Sequence, residues 1–147
     1  MHPPNEHRVV RVADVPALEG RADPAWWGEW SRDSDYGPGW HSINTHLGIT
    51  GFGINGATAD AGKELIVPHV ESDYTPQEEV YLVVEGRARF TCNGETIELS
   101  PGELLLVGAD VNREARALAT PTTVIALGGA PGAFKTWEKP AGQAPER

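Results

Sequence analysis

Apolar and polar residues alternate with a period of two along much of the chain from residue 43 onward, which is the pattern of half-buried β-strands. The first alternating segment predicts a strand from Ile43 to Ile49. The glycines that follow it, Gly51, Gly53 and Gly56, predict a bend or bulge in a curved sheet. Further strands are predicted at short spacing: Glu64–Glu71, Glu79–Glu85, Arg87–Cys92, Glu95–Leu99, Leu104–Val107, Ala115–Ala119 and Thr122–Leu127.

The segments between the predicted strands have the composition of tight turns. Asn93-Gly94 is the strongest of these signals, because both residue types tolerate the positive φ angles of a two-residue hairpin turn. No predicted helix is long enough to cross over between parallel strands. The sheets should therefore be antiparallel, and the fold an all-β sandwich or barrel.

The chain length of 147 residues fits a single domain. We expect an irregular N-terminal arm over residues 1–40 that packs on a barrel formed by residues 41–130, followed by a frayed C-terminal tail over 131–147. The arm contains a tryptophan-rich segment, Trp26–Trp30. The preceding Asp23-Pro24 is a helix-start signal, so we expect one short helical turn there. Its indoles either cover an edge or mouth of the barrel or contact a ligand directly.

The formal net charge of −9, without a local cluster of basic residues, argues against nucleic acid and anionic membrane surfaces as partners. No apolar run approaches the roughly 20 residues of a membrane helix, and the first residues lack the basic-then-apolar order of a signal peptide, so we expect a cytoplasmic protein. Cys92 is the only cysteine, which excludes an internal disulfide and favours a packed thiol at a strand end.

Polar side chains interrupt the apolar face of two consecutive predicted strands. Residues two apart in a strand share a face, so His69 and Glu71 follow Leu65 and Val67 on one side of the first strand. On the next strand Glu79, Tyr81 and Val83 share a face in the same way. The loop between these strands is short enough to pair them, which brings Glu79 near His69 and Glu71.

A polar group on an apolar inner face is costly unless it binds a metal, a ligand or another polar group. Imidazole nitrogen and carboxylate oxygen are suitable ligands for divalent iron, zinc, manganese or nickel, so His69, Glu71 and Glu79 are candidate metal ligands. Two alternatives remain open. The cluster is held by hydrogen bonds alone, or a register different by one residue sends both glutamates to solvent.

Segments 62–86 and 92–117 resemble the two consecutive motifs of the cupin superfamily. The first family motif runs from a glycine through His-x-His, or a variant, to a glutamate seven positions before a second glycine, and those places fall on Gly62, His69, Glu71, Glu79 and Gly86. Pro101-Gly102-Glu103 and the apolar run after it approximate the second motif. The resemblance covers about residues 44 to 128 and implies a single-domain antiparallel jelly-roll barrel with a degenerate second motif. It also implies a homodimer, since cupins often pair their barrels.

Two positions depart from the family pattern. Glu71 replaces the second imidazole of His-x-His, and Arg113 replaces the histidine of the second motif. A guanidinium stays protonated and cannot ligate a cation. Arg113 either neutralises a metal-free interior by pairing with Glu71 or Glu79, or holds an anionic substrate through a bidentate contact. His41 or His46 is a candidate for the missing ligand, although a strand histidine is more often satisfied by hydrogen bonds.

Two functions follow from this site. The first is a barrel that binds a small organic ligand, with or without one divalent metal, and carries out isomerase-like or dioxygenase-like chemistry in which Glu79 and Tyr81 are the candidate catalytic residues. Arg113 and His46 are then the candidate ligand-binding residues. The second is a non-catalytic, metal-free module for binding or dimerisation.

Overall fold

A computed structural model describes residues 5–18, 39–73 and 76–132. The Trp26–Trp30 segment and the part of the predicted tail after residue 132 lie outside the described residues. None of the described helices is long and apolar enough to cross a membrane.

Antiparallel strands in two sheets form most of the described chain, which confirms the predicted all-β jelly-roll barrel. The strands are β1 (Ala17–Leu18), β2 (Gly39–His41), β3 (Gly53–Ala59), β4 (Glu64–His69), β5 (Glu78–Glu85), β6 (Ala88–Cys92), β7 (Glu95–Leu99), β8 (Leu104–Val107), β9 (Arg113–Ala117) and β10 (Thr122–Gly129). A six-stranded sheet has the order β1-β2-β3-β10-β5-β8, and a four-stranded sheet has the order β4-β9-β6-β7. Strands β4 and β5 lie in different sheets, so the prediction that they pair with each other is wrong, although both contribute to the same core.

The prediction of a strand from Ile43 to Ile49 is wrong. Residues Ile43–Leu47 form a short helix, α1, which ends at Gly48 with a φ of 70°. Ile43 and Leu47 are four residues apart, so the same apolar positions that suggest a strand also share one helical face. That face packs on the outer side of the large sheet, where Ile43 joins Val15 and Ile125 in a small apolar cluster.

The end of the predicted strand Glu64–Glu71 is also wrong. Strand β4 stops at His69, and Glu71–Asp73 form a 3-10 turn. Register shifts interrupt the β4–β9 pairing between Glu64 and Ile66 and between Ile66 and His69. The chain bends at these irregularities, which carries Glu71 out of the sheet.

The main core fills the space between the two sheets. Its members are the small and branched residues that alternate inward on both sheets, together with two aromatic rings: Ala57, Ala59, Leu65, Ile66, Tyr81, Val83, Ala88, Phe90, Leu99, Val107, Ala115, Ala117, Val124 and Ala126. The polar residues of the candidate site lie at the end of this core where β4 stops and β5 begins. One end of an otherwise apolar interior is therefore polar.

Two glycines fix the turns around strand β6. The hairpin between β6 and β7 has Asn93 at a φ of 48° and Gly94 at 83°, which confirms the hairpin predicted there. Gly86, between β5 and β6, has a φ of 76°, and a Cβ added to it would lie 2.5 Å from the backbone oxygen of Pro121 and 2.5 Å from Thr122 Oγ1. The Gly86 turn therefore requires glycine for both its backbone angle and its close approach to the start of β10.

We expect Gly86→Ala to lower the free energy of unfolding by roughly 2–4 kcal/mol, because strain at a positive φ adds to the clash with backbone. Gly94→Ala is the matched control, since Gly94 has a similar φ and nothing within 4 Å of an added Cβ. It should lose only about 1 kcal/mol. Urea unfolding followed by circular dichroism measures both changes, and equal losses in the two variants would contradict the close approach at Gly86.

Candidate metal centre

Three side chains with metal-binding atoms meet between the sheets. His69 is the last residue of β4, Glu71 opens the 3-10 turn after it, and Glu79 is the second residue of β5. One ligand atom from each lies within 4.8 Å of the other two. All three residues are partly buried. Glu71 reaches the group from the turn, not from the strand position that the sequence pattern indicated.

Hydrogen bonds orient the His69 ring with Nε2 toward the cluster. Nδ1 lies 2.7 Å from the Val67 carbonyl oxygen, and Nε2 lies 2.9 Å from Glu71 Oε1. A carbonyl oxygen only accepts, so Nδ1 carries a proton and donates it to Val67. An ionised carboxylate also only accepts, so the contact between Nε2 and Glu71 needs a proton between the two atoms, and a metal bound to Nε2 would replace that proton. A backbone partner of this kind on the outer nitrogen is the usual arrangement for a metal-ligating histidine.

Arg113 begins β9 and is fully buried, with a relative exposure of 0%. Its Nη1 donates to Glu79 Oε1 at 2.5 Å, its Nη2 to the Gly108 carbonyl at 2.5 Å, and its Nε to the Val111 carbonyl at 3.0 Å. Nη1 is also 3.9 Å from Glu71 Oε1. Of the two interpretations of Arg113, this geometry favours pairing with the glutamates inside the barrel.

Tyr81 supports Glu79 from the same strand. Its hydroxyl donates to Glu79 Oε1 at 2.6 Å, and its ring packs on Phe90 with the ring centroids 5.0 Å apart. Burial, together with the negative charge of Glu79, raises the pKa of Tyr81 well above its ordinary value. Tyr81 therefore keeps its proton at neutral pH and acts as a fixed hydrogen-bond donor to Glu79.

The two carboxyl groups have opposite pKa shifts. Burial, with the like charge of Glu71, raises the pKa of Glu79 although Tyr81 and Arg113 oppose it. Burial also acts to raise the pKa of Glu71, but the hydrogen bond and charge of His69 outweigh it, so that pKa is lowered. The opposite directions follow from the neighbours, since His69 contacts Glu71 directly, whereas the like charge of Glu71 acts on Glu79.

The structure brings together five of the seven candidate site residues that the sequence singles out: His69, Glu71, Glu79, Tyr81 and Arg113. It does not bring His46 to them, because His46 is exposed on helix α1 at the outer side of the large sheet. His41 is buried, but it binds the Val15 carbonyl and Thr58 on that same outer side. Neither histidine is placed to complete the ligand set.

Sequence reasoning missed the backbone groups of the site. The carbonyl oxygens of Val67, Gly108 and Val111 hold His69 and Arg113 in place. Every residue has a carbonyl, so no residue type marks these positions. They become apparent only once the chain path is known. In the described part of the chain, every buried side-chain nitrogen and oxygen has a hydrogen-bond partner.

Comparisons with known proteins find one matching family model and several similar structures. A family model described as "Cupin domain" matches residues 64–127. A cupin protein from Bacteroides fragilis is similar in structure, with a TM-score of 0.58 and 23% sequence identity over 69% of this chain and 85% of that chain. A cupin-superfamily sugar phosphate isomerase from Silicibacter pomeroyi has a TM-score of 0.51 and 17% identity over 62% of this chain and 58% of that chain. At these identities the two structures show a shared fold. Comparison with curated protein sequences yields no match.

We expect Arg113→Met to lower the free energy of unfolding by roughly 3–5 kcal/mol, because it removes the positive partner of the partly buried Glu79 carboxylate and the donor of two carbonyls. Arg89→Met is the matched control, since Arg89 is exposed and pairs with Glu98 at the surface. It should cost less than about 1 kcal/mol. Urea unfolding gives both values. An Arg113→Met variant as stable as the native protein would show that the barrel does not depend on this pair.

Proposed function

Because the chain belongs to the cupin superfamily, we propose that His69, Glu71 and Glu79 hold one divalent metal ion, and that a small organic ligand binds beside it in the barrel. The observation that carries this proposal is the convergence of the three ligand atoms within 4.8 Å, with the His69 ring already turned so that Nε2 faces the group.

The donor set fits a first-row transition metal. Metal–ligand distances of about 2.0–2.2 Å place ligand atoms up to about 4.4 Å apart across one ion. Side chains gathered within 4.8 Å therefore need only a small movement to reach it. One imidazole and two carboxylates suit iron, manganese, zinc or nickel. Three protein ligands leave further positions for water or a ligand.

The charge of the loaded site favours an anionic ligand. A divalent ion, the carboxylates of Glu71 and Glu79 and the guanidinium of Arg113 sum to a net charge of +1. The family pattern, with three neutral histidines and one glutamate around a divalent ion, gives the same sum. The two departures from that pattern compensate each other, since Glu71 adds a negative charge and Arg113 a positive one. We infer that the ligand carries a carboxylate, phosphate or enolate-type oxygen.

The residues around the proposed metal hold its ligands in place. Arg113 and Tyr81 both donate to Glu79 Oε1, which fixes that carboxylate, and the Val67 carbonyl fixes His69. The metal, when bound, would act as a Lewis acid toward an oxygen of the organic ligand. Isomerase-type chemistry, the activity named for the Silicibacter pomeroyi structure, is the candidate function that we favour, because a Lewis acid beside a substrate oxygen would stabilise the negative charge that develops there.

We expect protein purified without chelator and without an affinity tag to contain about one equivalent of a divalent transition metal, as measured by elemental mass spectrometry. His69→Ala and Glu79→Gln should each lose most of it, because each removes one of only three ligands. His46→Ala and Glu78→Gln are the matched controls, since one removes an exposed histidine and the other the outward neighbour of Glu79. Both should keep the metal. Loss of metal in a control, or a metal-free native protein, would contradict the proposal.

We also expect Arg113→His to tighten zinc binding by at least about tenfold, since it removes a positive charge next to the ion and adds an imidazole. Arg116→His makes the same change at an exposed position of β9 and should leave the affinity within about twofold. Competition with a chromogenic zinc chelator measures both, with circular dichroism as the check on folding. Equal zinc affinities in the two variants would mean that Arg113 does not influence metal binding.

A second candidate function is a metal-free binding or dimerisation module. It is favoured by the internal pairing of the cluster, in which His69 contacts Glu71 and Arg113 contacts Glu79. Leu104 and Leu106, exposed on strand β8 at the edge of the large sheet, are a candidate dimer surface. A native protein that is free of metal and dimeric in sedimentation analysis would support this candidate over the first.

A further inference from the structure

A cavity lies on the outer face of the large sheet, away from the candidate metal centre. Its volume is about 660 Å³, within the range of small-molecule sites. Val12, Val84 and Pro121 supply apolar walls, and His41, Thr58, Thr123 and Glu85 supply polar groups. None of these polar residues takes part in the proposed metal chemistry.

The polar residues of this cavity form a hydrogen-bonded chain. The Val15 carbonyl lies 2.8 Å from His41 Nδ1, His41 Nε2 lies 3.2 Å from Thr58 Oγ1, and Thr58 Oγ1 lies 3.1 Å from Thr123 Oγ1. His41 and Thr123 are both 7% exposed. The hydrogen-bonded series therefore begins at the buried His41 and ends at Thr123 in the cavity wall. Three elements contribute to it: β2, β3 and β10.

The hydrogen bond between His41 and the Val15 carbonyl fixes which atom is the donor at each later step of the series. A carbonyl oxygen only accepts, so Nδ1 of His41 donates to Val15. In the neutral imidazole Nε2 then accepts, and the single hydroxyl proton of Thr58 must point at it. Thr58 Oγ1 can only accept from Thr123, which uses the single hydroxyl proton of Thr123. What remains for the cavity is the lone pair of the Thr123 oxygen.

Among the described residues that line this cavity, every polar side-chain group left to a ligand is therefore a hydrogen-bond acceptor. The second such group is the carboxylate of Glu85, which is exposed and adds a negative charge. A protein of net charge −9 also attracts cations to its surface. We propose that the cavity binds small aliphatic amines, with the ammonium group on Thr123 Oγ1 and the Glu85 carboxylate and the carbon chain on Val12, Val84 and Pro121.

The test is a titration of the 15N-labelled protein with n-butylammonium at low ionic strength, with butyrate and 1-butanol as probes of the same chain length. Butylammonium should shift the amide signals of cavity residues such as Val84, Glu85 and Thr123, and the two other probes should shift them far less. Glu85→Gln should weaken binding at least about fivefold because it removes the charge. Glu95→Gln is the matched control, since it makes the same charge change at an exposed position of strand β7 in the other sheet.

Thr58→Val tests the direction of the chain, because valine has the shape of threonine without its hydroxyl. The Thr123 hydroxyl then loses its acceptor and can turn its proton into the cavity, so butylammonium binding should fall and 1-butanol binding should not. The proposal is overturned if cavity signals do not respond to butylammonium, if butyrate or butanol binds as well, or if Glu95→Gln weakens binding as much as Glu85→Gln. His69→Ala should keep the amine response, which separates this site from the proposed metal site.

Discussion

The buried ion pair between Arg113 and Glu79 is the interaction on which the interior of this barrel depends. Arg113 comes from β9 of the small sheet and Glu79 from β5 of the large sheet, so the pair joins the two layers at the polar end of the core. A guanidinium with no exposure to solvent is tolerable only when its donors are used, and here Glu79, Gly108 and Val111 accept from it. The positions of Glu71 and His69 follow, since both lie around this fixed charge.

The same pair explains why two departures from the family pattern occur together. A glutamate in place of a ligating histidine would add an uncompensated negative charge to a partly buried site. An arginine in place of another histidine supplies the opposite charge, and its Nη1 lies 3.9 Å from Glu71 Oε1 and 2.5 Å from Glu79 Oε1. With a divalent ion bound, the glutamate alone would change the net charge of the site from +1 to 0 and the arginine alone would change it to +2, whereas the two together leave it at +1.

The sequence predicted most of the strands because their apolar residues alternate toward a single core. It also predicted the hairpin at Asn93-Gly94, where the residue types themselves demand positive φ angles. It failed at Ile43–Leu47, because an apolar residue every second position over one short segment also satisfies a helical face. Packing against Val15 and Ile125 decides between the two, and such tertiary contacts are not visible in the local pattern.

The candidate site also has features that the sequence predicted and features that it could not predict. The resemblance and the two-residue period together indicated His69, Glu71 and Glu79 as neighbours, although Glu71 lies in a turn and not on β4. The burial of Arg113 and its carbonyl partners could not be predicted, since they depend on the path of the chain from Gly108 to Arg113. His46 was a candidate by residue type alone, and its place on the outer helix reflects the same local error as the missed helix.

The most direct test of the account is X-ray absorption spectroscopy of the protein loaded with one equivalent of zinc. The account predicts a first coordination shell of nitrogen and oxygen at about 2.0–2.2 Å, in which multiple scattering indicates a single imidazole and no sulfur is present. Two or more imidazoles in the shell would mean that the ion has bound elsewhere or that another histidine joins the site. A shell of oxygen alone would mean that His69 is not a ligand. Either result would contradict a centre built from His69, Glu71 and Glu79.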